Sequence, residues 1–313
     1  MPRFILQRLA ATLPVLCIVA VIVFLLLRLT SGDPALILAG DSATPEQLAN
    51  IRTAMGLDKP VLQQFLIWVG GLLRGDLGVS LISGTPVSAM IADRFAPSLA
   101  LCLSTIVVAI VVAIPLGIMA AWQQGKPLDR LIMAGSVIGF SVPVFIFGYT
   151  LILVFARWLG WLPVQGYRPL SEGIWPFLER LILPTLALST AYIALIARIV
   201  RTSVIEVMGE DFIRTARAKG LNERGVLIHH ALRNAAVPIV TIIGVSIAML
   251  IGGVVVTESV FNIPGLGRLV LESVQARDYP IIQALILIFS TLYIVINLVI
   301  DLLYALIDPR IRY

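Results

Sequence analysis

Few residues in this chain have the neighbours that chemistry needs. Gly125-Lys126 is followed by Pro127, where a phosphate-binding loop requires Ser or Thr, and position 120 is Ala120 rather than glycine. Gly265-Leu266-Gly267 lacks the third glycine of a dinucleotide fingerprint. His229 and His230 are adjacent, so on a helix they point about 100° apart, and no Cys or carboxylate pattern completes a metal site around them. Cys17 and Cys102 sit inside apolar runs and read as small buried hydrophobes. The sequence therefore offers no catalytic residue, no nucleotide loop and no metal ligand set.

The chemistry that is legible is mechanical and electrostatic. From Met208 to Gly220 the acidic Glu210 and Asp211 come first, and the basic Arg214, Arg217 and Lys219 come last. Gly220 stands where a left-handed C-cap belongs. Charge and cap both complement a helix dipole, so a short helix over 210–219, including Phe212, Thr215 and Ala216, is expected, roughly 15 Å long. Such a helix either transmits motion to a docked partner or serves only as a basic topology signal. Gly244, Ala248 and Gly252 recur every four residues, with Ser246 and Gly253 on a neighbouring face. A small-residue stripe lets helices approach closely in lipid, where no hydrophobic force drives them together. It serves packing within the chain, a partner helix, or a path.

Beyond that stripe come Glu258 and then Phe261-Asn262-Ile263-Pro264-Gly265-Leu266-Gly267, followed by Leu269, Val270 and Val274 at helical spacing. Pro and two glycines suit a compact turn. This turn is either an outer gate or binding-protein contact, with Phe261 and Leu266 as plug residues, or a plain connector. Asp301 is a carboxylate near the end of the last apolar run, where a capping or ion-pair role suits it better than a proton relay.

The elements that must position these residues follow from composition. Of 313 residues, 59% are hydrophobic and 13% charged, with a formal charge of +5 and a mean hydropathy of +0.99. That balance excludes a soluble enzyme, a disordered chain, a nucleic-acid-binding domain and a disulfide scaffold. It fits an all-α polytopic membrane bundle, with six apolar stretches at 9–29, 98–121, 131–156, 181–203, 236–258 and 281–304. Arg3, Arg8, Lys126, Arg130, Arg310 and Arg312 flank the short loops and both ends, which places both termini inside. Arg198, Arg201, Arg214, Arg217, Lys219, Arg224 and Arg233 join them in the segment after the fourth span.

Three parts are expected: 1–30 with the first span, an outer segment at 31–97, and a core at 98–313 holding the inner loop 204–235. The outer segment reads as three short amphipathic helices. Leu48, Ile51 and Met55 end at Gly56; Leu62, Phe65, Leu66 and Val69 follow Pro60; Val87, Met90, Ile91 and Phe95 follow Thr85-Pro86. They lie on the membrane interface or dock on a partner.

The run Arg-Thr-Ala-Arg-Ala-Lys-Gly at 214–220, continued by His-Ala-Leu-Arg-Asn-Ala at 230–235 and Pro238, resembles the cytoplasmic loop of permease subunits of binding-protein-dependent ABC importers. Ala216, Gly220 and Leu232 match the wider pattern, while Arg214, Thr215, His230 and Arg233 depart from it in the manner of the peptide and nickel branch. Further segments resemble that branch: Ser31-Gly32-Asp33-Pro34-Ala35, Gly75-Asp76-Leu77-Gly78-Val79-Ser80, Thr257-Glu258-Ser259-Val260-Phe261-Asn262, Asp301-Leu302-Leu303-Tyr304 and the ending Asp308-Pro309-Arg310-Ile311-Arg312-Tyr313. The outer segment is similar to that of the first permease in such operons, the dipeptide, oligopeptide and glutathione type.

The resemblance implies a subunit of the bacterial inner membrane that is not itself an enzyme. Its partners would be a second homologous permease, two ATP-binding cassette ATPases that hold the ATP and Mg²⁺, an extracytoplasmic binding protein and the lipid bilayer, with no nucleic acid. Residues 210–220 would couple to an ATPase. The cargo implied is a short peptide, with nickel or another small solute as the alternative within the group. An ion-coupled secondary transporter would instead need midplane ionisable residues and an inverted repeat, and neither stands out. With Cys17 and Cys102 replaced, a cysteine introduced at Ser171 should label from outside and one at Gln123 from inside. Inside labelling of Ser171 would overturn the topology.

Overall fold

Burial of backbone polar groups in hydrocarbon leaves helices as the economical spanning element, and helices dominate here. The structure is a computed structural model that describes residues 2–29, 35–36, 44–54 and 56–307. Ser31–Pro34, Met55 and the tail Asp308–Tyr313, all used in the sequence reading, lie outside the described residues, as do the side chains of Arg3 and Arg8. In chain order the main helices are α1 (Pro2–Leu29), α2 (Pro45–Ala54), α3 (Val61–Leu73), α4 (Val87–Trp122), α5 (Pro127–Ser141), α6 (Val144–Leu151, widened into a π-turn over Ile152–Trp158) and α7 (Ile174–Met208). There follow α8 (Asp211–Ala218), the short turns Glu223–Gly225, Val226–Ala231 and Leu232–Asn234, then α9 (Ala236–Val260), α10 (Leu266–Ala276) and α11 (Tyr279–Ile307).

Among the described residues, α4, α7, α9 and Tyr279–Leu302 of α11 are each long and apolar enough to cross a membrane. The expected third span, 131–156, is not one straight helix. It breaks between Ser141 and Val144, and its two halves are bent by 101°. Pro143 cannot donate to the helix ladder, and it pushes Val142 into an extended conformation (φ −81°, ψ 124°). The expected third amphipathic helix is not separate either. Its residues open α4, which runs for 36 residues straight through Pro97. The fourth helix runs on to Met208, past the expected end at 203; Arg198 and Arg201, counted above with the segment after that span, lie inside it.

The chain divides into two compact units. The first, residues 97–264 with the end of α11 from Val295, is centred on α7. Leu183, Ala187, Ile196, Ala197, Val200 and Val204 of α7 are buried among Leu101, Ala109 and Ala113 of α4 and Leu250 and Val254 of α9. Close approach depends on glycines. A Cβ at Gly117 would stand 2.6 Å from Val200 Cβ and 2.7 Å from the Ala197 carbonyl oxygen, and one at Gly139 would stand 3.1 Å from Thr190 Cγ2. At the α5 N-terminus Asp129 accepts both prongs of the Arg201 guanidinium at 2.5 and 2.7 Å and the Gly125 N–H at 2.9 Å, which fastens the α4–α5 turn to α7.

The second unit holds residues 2–96 and 265–294. Val87, Ile91, Leu266, Leu269, Ile281 and Leu285 form its core. Phe24 of α1 packs against Phe65 and Trp68 of α3, with centroids 5.2 and 5.7 Å apart. Asp278, buried behind the left-handed Arg277, accepts the Ser80 hydroxyl and the Leu81 N–H, so the Gly75–Ser80 motif is pinned to the start of α11. Asp76 accepts the Gly78 N–H within that motif.

Gly117→Ala should overpack the α4–α7 contact and cost about 1–3 kcal/mol, because backbone and Cβ atoms cannot yield. Gly135→Ala, with nothing within 4 Å of the added methyl, should be neutral. The melting temperature of the purified protein separates the two.

Candidate functional site

The segment expected to form a helix over 210–219 does so as α8, with Glu210 at its N-cap (φ −71°, ψ 151°) and Gly220 in the left-handed region (φ +82°) just past its end. Two residues on one face fasten it. Ile213 and Ala216, three apart, are buried in the core with Val226, Leu227 and Ala231, while every other α8 residue is exposed. Phe212 is 41% exposed and Leu221 43%, two large apolar side chains on an otherwise largely charged segment.

Arg214 pairs with Asp211 at 3.2 Å and the Thr215 hydroxyl donates to the Asp211 carbonyl, so both stabilise α8 itself. Arg217 makes a two-pronged pair with Glu223 at 2.8 and 3.2 Å, and Asn222 caps the next turn by accepting the Gly225 N–H at 2.7 Å. Lys219 stays exposed. A cleft of about 630 Å³, lined in part by Trp122, Met208, Arg217 and Glu223, opens beside the helix. The result is a rigid rod tethered at one apolar edge, with its other faces presented outward. Ile213 and Ala216 as anchors, and Glu223 as the Arg217 partner, are what the sequence reading missed; the three-residue apolar spacing was the available signal.

At the opposite end of α9 the candidate gate residues are interior. Glu258 is 0% exposed and accepts the hydroxyl hydrogen bond of Ser98 on α4, 160 residues earlier in the chain. Its carbonyl oxygen accepts the Ile263 N–H at 2.9 Å, which folds the chain back after the helix. Phe261 is buried against α6, where a Cβ at Gly148 would stand 3.2 Å from Phe261 Cε2 and from Val260 Cγ1. The Gly166 N–H donates to the Phe261 carbonyl at 2.8 Å and the Gln165 amide to the Val260 carbonyl at 3.1 Å. Ser98, Gly148, Gln165 and Gly166 were not singled out from sequence, because nothing local marks a partner a hundred residues away.

Pro264 is exposed at the end of the first unit. Gly265 is the N-cap of α10, and Leu266 and Gly267 are buried in the second unit, so the motif read as one turn contributes to two cores.

The small-residue stripe is used unevenly. A Cβ at Gly244 would meet Ile300 of α11 at 2.4 Å, and one at Gly253 would meet the Tyr192 hydroxyl at 3.0 Å and Leu188 at 3.2 Å, both on α7. Ser246 is buried and donates to the Ile242 carbonyl. Ala248 is only partly buried, and Gly252 faces open space. Gly244 and Gly253 therefore serve packing inside the chain, and Gly252 is left for something outside it.

Comparison with known proteins agrees with this architecture over the whole length. Residues 113–313 match the family described as binding-protein-dependent transport system inner membrane component, and residues 1–102 match the N-terminal family of the same membrane components. The chain is 50% identical over 310 residues, 99% of each chain, to a Sinorhizobium fredii (strain NBRC 101917 / NGR234) protein named "Probable peptide ABC transporter permease protein y4tP". It is 44% identical over all 313 residues to the glutathione transport system permease protein GsiC of Escherichia coli (strain K12), covering 100% of both. An inward-facing crystal form of the MetNI methionine ABC transporter shares the fold, with a TM-score of 0.59 at 17% identity over 71% of this chain and 97% of that one.

Loss of the buried acceptor in Glu258→Ala should cost about 1–3 kcal/mol by stranding the Ser98 hydroxyl. Glu258→Gln, which keeps an acceptor oxygen, should cost less. Equal melting temperatures for the two variants would show that the Ser98 contact contributes nothing.

Proposed function

The chain belongs to the inner membrane components of binding-protein-dependent transport systems, the permease subunits of ABC importers, and from that premise we propose that it imports short peptides, glutathione included. The full-length similarity to permeases named for peptide and glutathione transport supports this cargo. In this reading a second homologous permease completes the path, an extracytoplasmic binding protein delivers the peptide, and two ATPase subunits hold ATP and Mg²⁺. Both termini face the cytoplasm.

The observation that carries the mechanism is α8. Ile213 and Ala216 tie it to the same core as α7, while Phe212 and Leu221 project from it. A helix held that way moves with α7 when a partner pulls it. The ATPase groove receives Phe212, and closure of the ATPase pair carries α7 and the helices packed on it between inward and outward access. At the other end, separation of α4 from α9 requires the Ser98–Glu258 contact to break, and release of Phe261 from Gly148 opens the outer mouth. In this scheme Glu258, Phe261 and Pro264 act at the gate, whereas Gly265, Leu266 and Gly267 hold α10 for the incoming binding protein.

Two variants test the coupling. Phe212→Asp should weaken association with the ATPase about thirtyfold, the scale of an interface hot spot. Gly220→Val should cost about 1 kcal/mol or more, because a β-branched residue resists φ +82°. The measurement is ATPase co-purification with the permease pair and ATP-driven uptake of a labelled tripeptide in proteoliposomes. Full ATPase recovery with Phe212→Asp would remove α8 from the contact. Mass spectrometry of the solute bound to the cognate binding protein tests the cargo, and a non-peptide solute would overturn it.

A further inference from the structure

Two arginines three residues apart on α7 are treated in opposite ways. Arg201 is neutralised by the two-pronged pair with Asp129. Arg198 is exposed, the one exposed position between Ala187 and Val200, and among the described residues it forms no ion pair. Its guanidinium carbon lies 5.9 Å from the centre of the Phe140 ring, a cation–π contact. Arg198 is ten residues before the inner end of α7, about 15 Å along the helix.

The direction of this side chain matters. An arginine that faces lipid near the inner surface bends toward that surface, to keep its charge in water. Helical side chains lean toward their own N-terminus, which for α7 is the outer end. Phe140 follows Gly139, whose closest neighbours are Thr190 and Ala194, a turn or more outward from Arg198. Arg198 is therefore carried toward the interior of the membrane and held over an aromatic face. Ser141–Pro143, where the α5–α6 span breaks, follows Phe140 directly. Irregular backbone at that depth is tolerated where it lines a cavity or is covered by protein.

We infer that Arg198, laid on Phe140 beside the broken span, is a cargo-binding residue that receives the C-terminal carboxylate of the peptide during its passage. This rests on the peptide reading above and names the contact within it. A planar guanidinium donates two parallel hydrogen bonds to a carboxylate. The aromatic ring keeps that fork oriented without neutralising it, as Asp129 neutralises Arg201. A single solvated arginine also binds weakly enough to let the cargo leave, which a transport path requires as much as capture.

The test uses the complete importer, with both permeases, the ATPases and the binding protein, in vesicles of phosphatidylcholine with and without phosphatidylglycerol. The probe is radiolabelled trialanine, and uptake is expressed per assembled complex. Wild-type uptake reads the peptide assignment, and the ratio of variant to wild type reads Arg198. R198A and R198Q should each lower uptake about tenfold or more, the scale of one lost charge-assisted contact, and R198K, which keeps the charge but not the planar fork, should recover only part of it. The same ratios should hold in both vesicle types. Undiminished uptake in R198A overturns the inference, and so does R198K falling as far as R198Q. A defect that appears only with phosphatidylglycerol assigns Arg198 to a lipid headgroup. Failure of all three variants to assemble assigns it to the partner permease.

Discussion

Helices in a bilayer have no hydrophobic reason to leave lipid for one another, so this chain must hold its helices together by close approach and by a small number of buried polar contacts. Both kinds converge on α7. Gly117 and Gly139 remove the side chains that would keep α4 and α5 away from it, and Gly253 does the same for α9. Asp129 and Arg201 add a two-pronged ion pair, with Asp129 buried and Arg201 half-buried. Because only Gly209 and Glu210 separate α7 from α8, whatever fixes α7 also fixes α8.

The same economy explains the two ends of the first unit. At one end, α8 is too short to be stable alone, and Ile213 and Ala216 borrow the core of the unit to hold it. Its charges are spent on local pairs, Arg214 with Asp211 and Arg217 with Glu223, which leaves Phe212 and Leu221 as the unpaired apolar features. At the other end, Glu258 is a buried carboxylate held by hydrogen bonds, that from Ser98 among them.

The second unit is built on different terms. Its core of Val87, Ile91, Leu266, Leu269, Ile281 and Leu285 is assembled from three segments distant in sequence. Asp278 binds Ser80 and Leu81 there, and Glu272 bridges Arg94 at 2.8 Å and Arg268 at 2.7 Å. Those polar ties and the shared core hold Ser80–Arg94 to α10 and to the start of α11.

Hydropathy, charge placement and local helix grammar are properties of neighbouring residues, and they were legible directly. The membrane class followed from composition, and α8 with its Gly220 stop from spacing. The break at Val142–Pro143 was also written locally, as a residue restricted by the proline after it, but a hydropathy window averages over it. What only the tertiary structure decided is partnership across long sequence separations: Ser98 with Glu258, Asp129 with Arg201, Asp278 with Ser80, Gly148 with Phe261. A serine or glycine in an apolar run looks the same whether it meets a carboxylate, a ring or nothing, because its role is set by the side chain that packing brings opposite. Arg198 and Arg201 make the point most directly. They are the same residue type on the same helix, one neutralised and one left open, and the difference lies entirely in which part of α5 each one faces.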